Sequence, residues 1–252
     1  MQGLTGKRVL VVGASGDIGH AVLAILSRSP AKIGAHYHKN GTLKHLMQHG
    51  RIGNAQAKLY KADLVTQKKC HALVDNFVKW AGGIDALVQL SGNVSRPINW
   101  DLLSQKDWLT DINVNLSGPF FLAQQAMFHM RKASGGRIIL TSTASAKHGG
   151  GAQSMAYGVA KAGIECLTKG LAREGASHGI LVNAIAPGFI ATQFHSKRMR
   201  KNSTALKKRA AQVPLGRAGR PEDIANLIIY LLSAGGDFVT GECIAVSGGD
   251  WL

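Results

Sequence analysis

The chain has 252 residues, 45% of them hydrophobic and 17% charged. That is enough apolar material to bury a core without disulfides or a metal, and enough length for one large domain or two small ones. A formal net charge of +16 and a pI near 10.1 point toward acidic partners or substrates, nucleic acid or an anionic membrane surface, and charge alone does not choose among these.

Short apolar runs alternate with helical patterns along the chain. The first strand is expected at Arg8–Val12. A helix follows in which Ile18, Ala21, Val22, Ile25 and Leu26 share one face. Strands are then expected at Lys32–Tyr37, Gln56–Tyr60, Asp85–Leu90, Arg137–Thr141, Ile180–Ile185 and Cys243–Val246. Long helices are expected over Asn115–Lys132 and Ser154–Ser177. A further helix at Pro221–Ala234 opens with Pro221, Glu222 and Asp223, which suit a helix N-terminus. Val- and Ile-rich runs bounded by Gly, Asp or Pro read as strands buried on both faces, as in a parallel sheet. The alternation predicts a seven-stranded, doubly wound Rossmann-like α/β sheet with helices on both faces, in a single domain. The segment His195–Arg209 shows no strand signal and reads as a surface helix or a lid near residues 190–212.

Cys70, Cys166 and Cys243 are odd in number and form no CxxC. A disulfide framework or thiolate zinc site is not expected, and a reducing, cytoplasmic compartment fits. No apolar run near either end approaches the roughly 20 residues that span a bilayer, and no removable leader is expected. The histidines show no helix-face pairing that would call for a metal. His36 and His38 alternate on a strand, where a cofactor or surface role is expected.

Two motifs carry chemistry. The first strand runs into Gly13-Ala14-Ser15-Gly16-Asp17-Ile18-Gly19. Glycines permit a tight turn and close backbone approach, and the N–H groups opening the next helix can meet a pyrophosphate. Further on, Tyr157 and Lys161 lie four residues apart on one helix face. Carbonyl reduction needs a hydride from a cofactor and a proton for the developing alkoxide. A free phenol, with a pKa of ~10, holds its proton too tightly for ready exchange near neutrality. A neighbouring ammonium is expected to lower it.

These motifs resemble those of the short-chain dehydrogenase/reductase family, whose turn reads TGxxxGxG and whose active-site helix carries YxxxK. The likeness extends over nearly the whole chain. It includes Pro187-Gly188, Pro214-Leu215-Gly216-Arg217, Pro221-Glu222-Asp223-Ile224-Ala225, Thr240-Gly241 and Ser247-Gly248-Gly249. The resemblance implies that Gly13, Ser15, Gly16, Asp17, Ile18 and Gly19 cradle the dinucleotide and that Asp63 and Leu64 contact the adenine. A helix cap or turn is the other reading of Asp63. Leu90, Ser91 and Gly92 stand where the family has NNAG. Ile190 and Thr192, after Pro187 and Gly188, would contact the nicotinamide carboxamide, and Lys161 would hold the cofactor as well as tune Tyr157. Val12 replaces the usual Thr. Asp17 replaces the middle glycine, where its carboxylate repels a pyrophosphate unless it is turned away.

No acid follows the second strand to hold a ribose 2′-hydroxyl. His38, Lys39 and Asn40 suit a 2′-phosphate, so NADP(H) is expected rather than NAD(H). Counting from Gly136-Arg137, the family's catalytic hydroxyl falls on Thr143, with Ser142 as the alternative. A one-residue slip on a strand reverses the face. The chain has one residue more than usual before Tyr157, placed at Gly149-Gly150-Gly151. Asn115 matches the family's proton-relay asparagine, which anchors a water linked to the lysine.

The resemblance further implies a homotetramer and a branch that includes the 3-oxoacyl-[acyl-carrier-protein] reductases. Lys197, Arg198, Arg200, Lys201, Lys207, Lys208 and Arg209 would then meet an acidic acyl carrier protein bearing the carbonyl substrate. A reductase of a free small ketone, sugar or sterol shares the same site residues. A non-catalytic NADP-binding regulator would keep the fold alone. Nucleic-acid binding has only the net charge in its favour.

Overall fold

The computed structural model describes residues 4–39, 43, 45, 51–194 and 202–250. Among them eight strands form one sheet: β1 (Arg8–Val12), β2 (Lys32–Tyr37), β3 (Arg51–Ile52), β4 (Ala55–Lys61), β5 (Ala86–Gln89), β6 (Gly136–Thr141), β7 (Ile180–Pro187) and β8 (Cys243–Val246). Their order is β3-β4-β2-β1-β5-β6-β7-β8, parallel throughout except that β3 runs antiparallel to β4. The helices are α1 (Asp17–Leu26), α2 (Gln67–Ala81), α3 (Gln105–Ile112), α4 (Gly118–Met130), α5 (Met155–Gly175), α6 (Ser203–Ala211) and α7 (Pro221–Leu232).

Seven strands match the expected runs, and β3 is an addition. It is a two-residue arm paired to β4 across the turn at Gly53 and Asn54, too short to leave an apolar run in the sequence. Helices α2 and α3 are additions too. Cys70, Leu73, Val74, Phe77 and Ala81 form the buried face of α2, and the Thr66 side chain caps it by accepting from the Lys69 N–H at 3.4 Å.

Adjacent residues of the central strands feed opposite cores, which is why those strands are largely apolar, whereas β4 alternates, with Gln56, Lys58 and Lys61 exposed. On β1, Val9 and Val11 pack with α1 and α7, while Leu10 and Val12 pack with α2, α4 and α5. Each such side chain, fully withdrawn from water, contributes about 1.5–3 kcal/mol. The Arg8–Asp85 ion pair at 2.6 Å joins the starts of β1 and β5.

Two features position the site. First, β2 and β4 lie on one side of β1 and β5 on the other. The chain reverses direction across the sheet there, and the carboxyl ends of β1 and β5 flank the crevice where open α/β sheets bind ligands. Second, the helix expected from Asn115 is divided. A π turn spans Asn113–Ser117, and the Gly118 N–H donates to the Asn113 carbonyl five residues back. Such bulges re-aim side chains inside helices, and this one leaves Asn115 completely buried. Among the described residues no helix is long and apolar enough to cross a membrane.

Candidate active site

The glycine turn fills the crevice beside β1. Gly13 sits at φ +82, and a Cβ there would meet the Ser91 nitrogen at 2.6 Å. Gly19 packs so closely on the turn that a Cβ would stand 2.6 Å from the Ala14 carbonyl oxygen. Ser15, Gly16 and Ile18 lie on the turn and the start of α1. Gly16 is extended at the helix N-cap, and no side chain bonds the first N–H groups of α1. Those groups and the helix dipole are therefore presented to an anion. Asp17 does not face that space freely: its Oδ2 accepts from the Gln193 N–H at 2.6 Å. The carboxylate is thereby tied to the backbone following β7.

His38 and Lys39 are exposed at the end of β2, and Asn40 lies outside the described residues. His38 Nε2 stands 3.7 Å from Asp63 Oδ1, and Lys69 is 4.0 Å from the other Asp63 oxygen. Asp63 thus lies between His38 and Lys69 and does not cap α2, a role taken by Thr66. Leu64 follows, half-buried, its carbonyl near the Cys70 thiol. Of the two roles expected for His36, cofactor or surface, the surface one does not hold. The residue is 3% exposed, with its ring inside the turn rather than at its surface.

Leu90, Ser91 and Gly92 leave β5 toward the same crevice. The fully buried Gln89 side chain donates to the Ser91 carbonyl and hydroxyl at 2.8 Å each. Beside Gly92 stand Asn115 Oδ1 and Lys161 Nζ, 3.0 and 3.4 Å from where a Cβ would be. The Asn115 amide donates to the Asn93 and Asp111 carbonyls at 2.6 and 2.9 Å, and its Oδ1 accepts from the Asn93 N–H at 3.0 Å. It therefore pins the loop after β5 to the π turn.

At the end of β6 the two candidate hydroxyls separate. Ser142 is buried and donates to the Lys161 carbonyl at 2.9 Å and to Glu165 Oε1 at 3.0 Å; its hydroxyl lies behind α5, away from the crevice. Thr143 faces the other way. Its hydroxyl stands 3.2 Å from the Ser145 hydroxyl and reaches the Pro187 carbonyl at 3.5 Å, on the side of the Tyr157 phenol, whose pKa it lowers. Ser145 was not among the expected site residues, although it lies in the run of hydroxyls Thr141-Ser142-Thr143-Ala144-Ser145. Lys161 is 1% exposed and donates to the Thr141 carbonyl at 2.7 Å. Its Nζ lies 5.6 Å from the centre of the Tyr157 ring. Before α5, Gln153 stands in the left-handed region at φ +59, and its carbonyl accepts from the Ile98 N–H at 2.9 Å.

The electrostatics correct one expectation. Burial pushes the Tyr157 phenol up to about 12, with the Thr143 hydrogen bond working against that rise and the Asp111 charge adding to it. The neighbouring ammonium does not reverse the shift, because Lys161 is itself desolvated and pushed down to about 7. In this arrangement the phenol is protonated at neutral pH, and the lysine is close to half charged.

Beyond β7, Pro187 and Gly188 adjoin β8, where the Gly188 N–H donates to the Val246 carbonyl at 3.1 Å. Ile190 is buried and bridges Gly219, and the Thr192 hydroxyl bonds back to the Ile190 carbonyl at 3.5 Å. Of the basic segment, Lys197, Arg198, Arg200 and Lys201 lie outside the described residues, and Lys207 and Lys208 are exposed on α6. Arg209 differs from the expected free surface cation. It binds both oxygens of Asp250 at 2.5 and 2.6 Å, tying α6 to the chain end after β8.

Known proteins share this arrangement. A family profile described as Enoyl-(Acyl carrier protein) reductase matches residues 13–250. The 3-oxoacyl-[acyl-carrier-protein] reductase FabG of Thermotoga maritima is 33% identical over 247 residues, covering 98% of each chain. The acetoacetyl-CoA reductase of Shinella zoogloeoides is 32% identical over 243 residues, covering 96% of this chain and 98% of its own. A solved short-chain type dehydrogenase/reductase from Mycobacterium ulcerans matches with a TM-score of 0.89 at 25% identity, over 99% of this chain and 90% of that one.

Fold and site together define an oxidoreductase of carbonyl and hydroxyl groups. The chain belongs to the short-chain dehydrogenase/reductase family, whose cofactor is a nicotinamide dinucleotide. The residues present fit that group. The absence of a side chain at Gly13, the uncapped N–H groups of α1 and the diverted Asp17 carboxylate leave an anion-accepting turn at the switch point.

Proposed function

We propose that the chain is an NADPH-dependent reductase that converts a ketone to an alcohol, with a 3-oxoacyl thioester on an acidic acyl carrier protein as its substrate. The observation that carries this reading is the Tyr157 ring 5.6 Å from Nζ of the buried Lys161, itself held on the Thr141 carbonyl at the end of β6, with Thr143 beside the phenol. When bound, the cofactor supplies the hydride. Gly13, Ser15, Gly16, Ile18 and Gly19 would hold its pyrophosphate, and Asp63, Leu64, Leu90, Ser91 and Gly92 would line its adenosine side. Pro187, Gly188, Ile190 and Thr192 would meet its nicotinamide end. His38, Lys39 and Asn40 would take the 2′-phosphate, since the one nearby acid, Asp63, is occupied by His38 and Lys69.

Thr143 orients the substrate oxygen and Tyr157 donates the proton. A developing alkoxide is far more basic than a phenolate, so a phenol held protonated by burial still transfers its proton downhill. Lys161 stands behind the phenol, and Asn115 fixes the loop and π turn that shape the proton's path to solvent. Ser142 supports α5 from behind.

The acyl-carrier reading draws on the names of the relatives and on Lys207 and Lys208, exposed on the segment read as a lid over residues 190–212. Leu109, Phe128 and Val159 on α3, α4 and α5, and Tyr230 and Phe238 on and after α7, are exposed apolar side chains that two kinds of subunit contact would cover. Two kinds of two-fold contact suit a tetramer. The compartment consistent with this chemistry is the cytoplasm.

The test is oxidation of NADPH and NADH with acetoacetyl-acyl carrier protein, acetoacetyl-CoA and a panel of small ketones, sugars and sterols. NADPH is expected to be preferred, with the carrier-linked substrate the most efficient and its kcat/KM falling as salt rises. Equal efficiency with NADH removes the cofactor assignment. A free ketone, sugar or sterol outrunning the thioesters replaces the substrate. Dinucleotide binding without turnover leaves a regulator.

A further inference from the structure

We propose that His36 is a positioning residue for the dinucleotide, holding the glycine turn in its binding shape through the Gly13 N–H. The inference rests on the dinucleotide reading above and deepens it.

The imidazole joins three strand ends. The Gly13 N–H donates to His36 Nδ1 at 3.2 Å, and His36 Nε2 stands 3.1 Å from the Ala62 carbonyl oxygen. Nδ1 accepts, so it is bare and the ring proton is on Nε2, which donates to Ala62. The His36 backbone carbonyl accepts from the Ala14 N–H at 2.9 Å. One residue thus holds the first two amides of the turn after β1 and the residue preceding Asp63 at the end of β4. The register places His36 directly beside Val12, so the ring lies level with the point where β1 becomes the turn.

Gly13 has little other choice of partner. Its φ of +82 and the closeness of Ser91, which a Cβ would meet at 2.6 Å, restrict the residue to glycine, and in the conformation adopted the imidazole is the acceptor of its N–H. The ring remains neutral. Burial pushes it down to about 4 and the nearby His38 acts in the same sense, against the Ala62 hydrogen bond. Both hydrogen bonds therefore keep their direction at neutral pH.

If the Nδ1 acceptor is removed, the Gly13 amide is left unpaired in the interior. The free protein then relaxes toward turns that satisfy it elsewhere. A ligand that needs the original turn binds more weakly by the fraction of molecules still holding it.

Asparagine and glutamine separate the two contacts. Asn places an amide oxygen where Nδ1 sits, within reach of Gly13 only. Gln places its amide nitrogen where Nε2 sits, within reach of Ala62 only. NADPH is titrated calorimetrically into wild type, His36→Asn, His36→Gln and His36→Leu, and each is melted without ligand. The expected order is wild type close to His36→Asn, within about threefold. His36→Gln and His36→Leu should be weaker by roughly tenfold, with KM for NADPH rising and kcat at saturation nearly unchanged. If His36→Leu does not fold, the Asn and Gln pair alone decides. Equal affinities in all variants, or a loss in Asn as large as in Gln, overturn the proposal. A wild-type protein that binds neither NADPH nor NADH overturns the dinucleotide reading itself, and this inference with it.

Discussion

The two walls of the crevice are built differently. On the wall formed by β1, β2 and β4, the buried imidazole of His36 has both nitrogens engaged and Asp17 is tied to Gln193. On the wall formed by β5, β6 and α5, Lys161 is buried with its ammonium on one carbonyl, Gln89 Oε1 is buried with no partner, and Gln153 is held in the left-handed region. The first wall shapes a turn that must not move. The second keeps groups in states that water would relieve, which is where reacting residues are found. Rigidity and reactivity therefore belong to different halves of one sheet, and substitutions should separate them.

The largest expected effect is on the reacting wall. Tyr157→Phe removes the proton donor and leaves the ring, so kcat should fall by roughly 10²–10⁴-fold while dinucleotide affinity and the melting temperature change little. Thr143→Ala should give a smaller loss, and Ser142→Ala the least. Steady-state kinetics on the three variants checks the order. Full activity of Tyr157→Phe would move the chemistry elsewhere.

Lys161 tests whether that wall is strained by its charge. Its pKa in the fold is about 7, against an ordinary 10.5. The unfolded chain therefore binds a proton that the folded chain resists, and stability falls as pH drops from about 10.5 toward 7. At neutral pH the penalty is on the order of 4 kcal/mol. Lys161→Met should recover part of it, about 2–3 kcal/mol, after loss of the Thr141 hydrogen bond. The melting temperature should rise by roughly 5–10 °C as turnover collapses. A destabilised Lys161→Met would show that the lysine supports the fold.

His36 loses stability in the same direction, in a lower pH window. Its pKa in the fold is about 4 against an ordinary 6.5, so its contribution is complete above 6.5 and is lost as pH falls from 6.5 toward 4. Denaturant unfolding at pH 7 and pH 5 should show wild type losing about 2 kcal/mol more than His36→Asn over that interval. An equal loss in both proteins would place the acid sensitivity in other groups.

Much of this architecture could be read before any coordinates. Most of the seven strands announce themselves as short runs apolar on both faces, and Tyr157 and Lys161 because four residues make a helical turn. What escaped reading depends on contacts remote in sequence. The π turn that buries Asn115 changes hydrogen-bond spacing without changing hydrophobic period. For His36, beside His38, a cofactor and a surface role both stayed open, because nothing local shows that Gly13 and Ala62 close over it. Arg209 looked like part of a free basic face until Asp250 came into reach. The phenol of Tyr157 was expected to be acidified by its neighbour, but periodicity places two groups together without telling how dry the space between them is.

The smallest test concerns the seam between the walls. Val12 and Gln89 are register partners on β1 and β5. The Gln89 amide nitrogen is engaged with Ser91, while its oxygen is buried without a partner. A valine beside it has nothing to donate. Val12→Thr keeps the shape of the side chain and adds a hydroxyl within the same pair of strands, one residue before the glycine turn. If the orphaned oxygen accepts it, the variant should be more stable by about 1 kcal/mol, a rise of roughly 2–4 °C in melting temperature, with NADPH affinity and kcat unchanged. A gain in stability accompanied by weaker NADPH binding would mean that the seam yields to let the turn close on its ligand. A loss of stability would mean that the added hydroxyl cannot reach Gln89, leaving a second buried polar group unpaired.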